Sequence, residues 1–225
     1  MSITSNLTIQ PEKEKIKTLK IMIIGEAAVG KSSLMYRYTM NSFSLTMLGT
    51  AGIDFKKKQV TVEDIKYNII LYDTAGHDRF RKIVKNHCKG ADGILLVYDI
   101  SEKQSIERLS AWMEDIEENT DKDVEVVLVA NKSDIQPREI SKEKGKELGL
   151  KYNIPVIETS AKTSSNVDQA FDTLINNIIR KEKLGQVDTT TMKTLDKIDN
   201  KSTHDPPPNN IKKKKDSEGC QCIIF

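Results

Sequence analysis

TLKIMIIGEAAVGKS, Thr18 to Ser32, is the stretch on which the reading of the fold turns. Its first half is an apolar run closing on Gly25, which suits a buried strand. Its second half fits G-x-x-x-x-G-K-[ST] from Gly25 to Ser32, and a helix is predicted from Lys31 through SSLMYRYTM. Gly25 and Gly30 permit a tight turn that aims backbone N–H groups inward, with Ala27, Ala28 and Val29 between them. The helix N-terminus adds a dipole that favours phosphate. Lys31 can reach the outer phosphates, the Ser32 hydroxyl can hold Mg²⁺, and Ser33 follows in the same turn. A chance strand–turn–helix would share the outline, and by itself the motif specifies a nucleotide without saying which.

Outward from this loop the chain keeps a rhythm. FKKKQVTV (Phe55–Val62) and YNIILYD (Tyr67–Asp73) read as a hairpin, with Glu63–Asp64 near its turn. GILLVYDI (Gly93–Ile100), VEVVLVANK (Val124–Lys132) and PVIETSA (Pro155–Ala161) read as further strands. Between and after them, SIERLSAWMEDIEEN (Ser105–Asn119), EKGKELGLKY (Glu143–Tyr152) and NVDQAFDTLINNIIRK (Asn166–Lys181) have helical spacing. Strands apolar on both sides, alternating with helices, predict an α/β fold. The expectation is a doubly wound, mostly parallel six-stranded sheet with one antiparallel edge strand and helices on both faces. Ligands of such sheets gather at the carboxyl ends of the strands, and the phosphate loop and the motifs that follow all fall there.

NKSD, Asn131 to Asp134, follows one of these strands. Asp134 can accept two hydrogen bonds from the donors on one edge of guanine. Adenine lacks that pair and would leave the carboxylate unpaired, a strong basis for discrimination. The Lys132 stem can cover the base face, and Asn131 can tie this loop to the phosphate loop. ETSAK, Glu158 to Lys162, adds Ser160, the Ala161 N–H and Lys162 at the base. Alone, NKSD is a common polar turn; after the phosphate loop, in this order, it points to a guanine nucleotide and disfavours an ATP-using kinase.

The bulk numbers agree with one soluble domain plus appendages. The chain has 225 residues, 37% hydrophobic and 30% charged, with a net charge of +2 that argues for no nucleic-acid partner. Residues 1–17 read as a flexible lead without secretory-signal character, 18–181 as the domain, and 182–225 as a disordered hypervariable tail. That tail carries PPP at 206–208, KKKK at 212–215 and the ending GCQCIIF. Cys222 with Ile-Ile-Phe fits C-a-a-X, the terminal Phe favouring geranylgeranyl, and Cys220 offers a second lipid site. Lys212 to Lys215 could add attraction to an anionic leaflet, or be only a solvated run. Cys88 reads as a small buried hydrophobe.

With GEAAVGKSS, TAGIDF, YDTAGHDRF, GILLVYDIS, NKSD and ETSAK in view, residues 18–181 resemble a Ras-superfamily small GTPase, nearest the Rab branch. The resemblance implies a GTP/GDP switch with Mg²⁺. Thr50 would be the switch I threonine meeting Mg²⁺ and the γ-phosphate, and Phe43 the aromatic packed on the guanine ring. Asp73 would hold Mg²⁺ through a water, and the Gly76 N–H would sense the γ-phosphate. Ala27 and Ala28 stand where Ras has glycines, a weak modulation. Tyr72 replaces the usual Trp, Ala51 the usual Ile or Val, and HCKGA fits the family loosely.

His77 takes the position where the family usually has a water-orienting Gln. Three readings follow: His77 positions the water itself, hydrolysis is crippled and the chain is a GTP-binding scaffold, or a partner supplies the missing group. The segment NSFSLTMLG carries no Arg, so no cis arginine finger is visible in switch I. The expectation is slow hydrolysis that depends on an activating protein. The resemblance further implies effectors, an exchange factor, a GDP-dissociation inhibitor or escort protein, and a monomer cycling between cytosol and the cytoplasmic face of intracellular membranes in vesicle trafficking.

Overall fold

The computed structural model describes residues 16–47, 49–120 and 124–199. The expected lead up to residue 15 and the tail from 200, with Cys220, Cys222 and Lys212–Lys215, lie outside the described residues. The chain divides into two units, Met1–Lys183 and Leu184–Phe225. The sheet, the core and the expected phosphate-loop site belong to the first.

Six strands form one sheet: β1 (Lys17–Gly25), β2 (Ile53–Val62), β3 (Ile65–Thr74), β4 (Gly93–Asp99), β5 (Glu125–Asn131) and β6 (Val156–Glu158). Their spatial order is β2-β3-β1-β4-β5-β6. β2 pairs antiparallel with β3, from Ile53 opposite Thr74 to Val62 opposite Ile65, and every other pairing is parallel. This is the sheet the apolar strands predict. Glu63 and Asp64 close the hairpin with φ of 48° and 65°, the left-handed pair that a two-residue turn between twisted strands needs. At the sheet edge, Lys56 and Lys58 of β2 lie over the rings of Tyr36 and Tyr38, 4.7 and 3.5 Å from their centroids, and Lys57 points outward, exposed.

The helices are α1 (Lys31–Met40), α2 (Arg81–Cys88), α3 (Lys103–Glu107), α4 (Leu109–Asn119), α5 (Lys142–Tyr152) and α6 (Val167–Asp199). Alternate strand residues feed two cores, because successive side chains of a strand point to opposite faces. Ile21, Ile23, Leu95 and Val97 pack with Leu34, Tyr38, Phe171 and Leu174 of α1 and α6. Met22, Ile24, Ile94 and Leu96 pack on the other face with Val84, Trp112, Met113 and Ile116 of α2 and α4. Each side chain buried this way stabilises the fold by roughly 1.5–3 kcal/mol.

Two elements depart from the periodicity. The stretch 105–119, which reads as one helix, is two, parted at Arg108 with φ −87° and ψ 0°. The first piece is held to the end of β4, where the Ser105 hydroxyl accepts from the Asp99 N–H at 3.0 Å and has the Glu102 carbonyl at 2.7 Å and the Asp99 carbonyl at 3.1 Å as acceptors for its one proton. The second follows its own apolar face, Leu109, Trp112, Met113 and Ile116. The final helix runs beyond Lys181 to Asp199, a segment with no proline to stop it.

Candidate nucleotide site

The phosphate loop leaves β1 at Gly25 and enters α1 at Lys31. Gly30 holds φ 96°, and a Cβ there would stand 2.4 Å from Asn131 Nδ2. The loop and the NKSD turn are therefore in contact, and Asn131 Nδ2 donates to the Val29 carbonyl at 2.8 Å. Ala28 takes a left-handed φ of 62°. Inside the loop, Lys31 Nζ donates to the carbonyls of Gly25 and Glu26 at 2.9 and 2.6 Å. Burial pushes this ammonium down to about 8, with Asp73 and Glu26 only partly offsetting it. A buried cation held by neutral carbonyls is suited to an anionic ligand, which would supply its counter-charge.

Below the loop three oxygens converge. Ser32 Oγ donates to Asp73 Oδ2 at 2.5 Å, Thr50 Oγ1 donates to the same oxygen at 2.8 Å, and the two hydroxyls are 2.9 Å apart. Asp73 Oδ1 is buried and has no hydrogen-bond partner among the described residues. Burial raises the Asp73 carboxyl above its ordinary value, against the hydrogen bonds from Ser32 and Thr50 and the charge of Lys31. An all-oxygen donor set with an unused carboxylate lone pair fits a hard cation such as Mg²⁺, which keeps several waters of its own. Ser32, Thr50 and Asp73 are the residues that would hold it, and its charge would stand against phosphate oxygens.

Two further segments close on this centre. Thr50 arrives from the loop before β2, and Gly76 from the end of β3. Gly76 packs so tightly on the phosphate loop that a Cβ would fall 2.2 Å from the Glu26 carbonyl carbon and 2.3 Å from the Ala27 nitrogen. His77 is exposed on the rim of the cleft, its carbonyl accepting from the Phe80 N–H at 2.9 Å. Ser33 Oγ meets Met47 Sδ at 3.6 Å.

At the other end, Asp134 Oδ1 accepts from Ser160 Oγ at 2.5 Å, and Lys162 Nζ is 3.8 Å from Oδ2. A carboxylate has about four lone-pair directions, so capacity remains for a base edge. Asn131 Oδ1 accepts from the Thr159 hydroxyl at 3.1 Å and the Ala161 N–H at 3.4 Å. Lys132 has φ 65°, and its ammonium pairs with Asp99 Oδ2 at 2.6 Å, which holds the stem across the cleft. Phe43, packed on the α1–α6 core, forms the facing wall.

The cleft so bounded has a volume of about 480 Å³, in the range of small-molecule sites. Ala27, Ala28, Gly30, Lys31, Ser32, Ser33, Phe43, Thr50, Gly76, His77, Asn131, Lys132, Asp134, Ala161 and Lys162 line it, while Gly25, Val29, Asp73 and Ser160 sit behind that lining. Sequence reasoning missed Ile135 and Met47 in the wall. It also missed Arg37, which reaches from α1 to the Ala161 and Lys162 carbonyls at 2.8 and 3.1 Å, and Asp99. Only their spacing across the fold distinguishes them, and no local motif does.

Comparison with known proteins agrees with this geometry. The sequence model of the Ras family matches residues 20–180. The chain belongs to the Ras family. Rab-18 of Lymnaea stagnalis is 39% identical over 214 residues, covering 95% of this chain and 99% of that protein. Rab-8 of Diplobatis ommata is 38% identical over 207 residues, 92% of this chain and 96% of that one. Human Rab-8B is 41% identical over 163 residues, 72% and 79% of the two chains. Within the Ras family this is a small GTPase of the Rab branch, a guanine-nucleotide-binding, GTP-hydrolysing enzyme. Among the described residues no helix is long and apolar enough to cross a membrane.

Proposed function

We propose that this GTPase is a switch whose GTP form recruits effectors and whose hydrolysis is slow without an activating partner. The observation that carries the reading is the meeting of Thr50, Ser32 and Asp73 on one cation corner, with Gly76 against the phosphate loop. Both outer segments would be held only while a γ-phosphate and Mg²⁺ bridge them, and would be released on hydrolysis. In this reading Lys31, Mg²⁺ and the Gly76 N–H meet the phosphate charge, Asp134 and the Ala161 N–H select guanine, and Phe43 and Lys132 sandwich the base. His77, exposed at the rim, would orient the attacking water itself or leave that task to an activating protein.

The same reading includes an exchange factor, a GDP-dissociation inhibitor or escort protein, and lipid attachment through Cys220 and Cys222. The protein would then work on the cytoplasmic face of intracellular membranes, in vesicle trafficking. Single-turnover GTP hydrolysis by the full chain with Mg²⁺, beside His77→Gln, tests the core of it. The expected wild-type rate is on the order of 10⁻⁴ to 10⁻³ s⁻¹, changed little by Gln. A flat wild type restored by Gln would instead support the scaffold reading, in which the GTP state persists until a partner ends it.

A further inference from the structure

Trp112 is the chain's single tryptophan and is almost fully buried on α4. Its indole Nε1 donates to Glu26 Oε1 at 2.7 Å, an oxygen that also pairs with Arg108 at 3.3 Å. Glu26 belongs to the phosphate loop, and its own carbonyl accepts from Lys31 Nζ. On the ring's face lies the Arg81 guanidinium, 4.9 Å from the centroid. Arg81 opens α2, just beyond His77, and is bonded to the Asp115 carboxylate and, at 2.7 Å, to the Ala111 carbonyl. Lys85, one turn on, pairs with Asp115 at 2.7 Å. The phosphate loop and the segment carrying His77 thus meet on one rigid side chain.

We propose that Trp112 is a positioning residue that couples the phosphate loop to the segment running from Gly76 and His77 into α2. A buried indole N–H needs an acceptor, so displacing Glu26 leaves a donor unsatisfied. Displacing Arg81 removes a cation from a ring shielded from water, where that attraction is largest, and strips Asp115 of a partner. Tilting the ring to follow one neighbour worsens its fit to the other. Each neighbour therefore biases the other's position, which is a coupling free energy between two sites. This coupling does not require His77 to be the water-positioning group.

The test is a double-mutant cycle on GDP release from the full chain with Mg²⁺, read with a fluorescent GDP. Arg81 lines no part of the cleft, yet Arg81→Gln is expected to change release by roughly three- to tenfold, and Trp112→Phe by a similar factor. In the Trp112→Phe background, Arg81→Gln should then change release by less than about twofold. An Arg81→Gln effect that is absent, or equal in both backgrounds, would overturn the proposal. The unmodified chain gives a second readout. Tryptophan emission should differ between the GDP form and a form loaded with a non-hydrolysable GTP analogue, because Arg81 and Glu26 move relative to the ring. Identical spectra in the two forms would also overturn it, whatever the hydrolysis rate of wild type or His77→Gln.

Discussion

At the scale of single residues, burial decides chemistry. Cys88 closes α2 with 3% of its surface exposed, and burial pushes its thiol up to about 11 from an ordinary 9.0. Between those values the unfolded chain loses a proton that the folded chain keeps, so stability contributed by the neutral thiol is complete below pH 9 and fades as pH rises towards 11. Two units correspond to at most about 3 kcal/mol. Urea unfolding at pH 8 and pH 10.5 should show wild type losing more stability than Cys88→Ala over that interval; equal losses would contradict it. The residue scale is also where the site was most legible. Motif residues such as Gly30, Lys31, Ser32 and Asp134 act through local backbone shape, which neighbouring sequence specifies. Glu26 and Trp112 act across 86 positions, and nothing local marks a Glu or a Trp as a partner of the other.

At the scale of elements, the strands were readable because both faces of β1, β4 and β5 are covered, leaving unbroken apolar runs. The helix α2 was not, since RKIVKNHC buries only Val84 and Cys88, too few positions to show a period. The break at Arg108 was hidden for the opposite reason, because apolar spacing continues through it. The α5 helix shows packing overriding propensity. It contains Gly145 and Gly149, both buried, and alanine at either would favour an isolated helix by about 1 kcal/mol. Here a Cβ on Gly149 would stand 2.4 Å from Val156 Cγ2 and 2.9 Å from the Ile154 carbonyl. Gly149→Ala is therefore expected to lower stability by about 1–3 kcal/mol, measured by urea or thermal unfolding. A rise in stability would show that β6 gives way easily.

At the scale of the whole molecule, the cleft collects the carboxyl ends of the strands, and the opposite ends are tied to α6. Lys181 pairs with Glu125 at the start of β5, Glu182 with Lys17 at the start of β1, and Lys183 with Glu63 in the β2–β3 turn. No run of sequence announces these pairs, which join residues far apart in the chain. The sheet's other large-scale property is its openness. β2 is an outer strand of ten residues, hydrogen-bonded on one side only. An unpaired strand edge is a template on which a second copy can add itself, the first step of aggregation. Lys56, Lys57 and Lys58 stand along that edge, so two copies joining there would bring like charges together. Replacing the outward ammonium, as in Lys57→Val, should raise light scattering on gentle warming at low salt while leaving GDP binding intact. The lysines of β2 then act as a fence, keeping an open strand edge from being claimed by the protein's own kind.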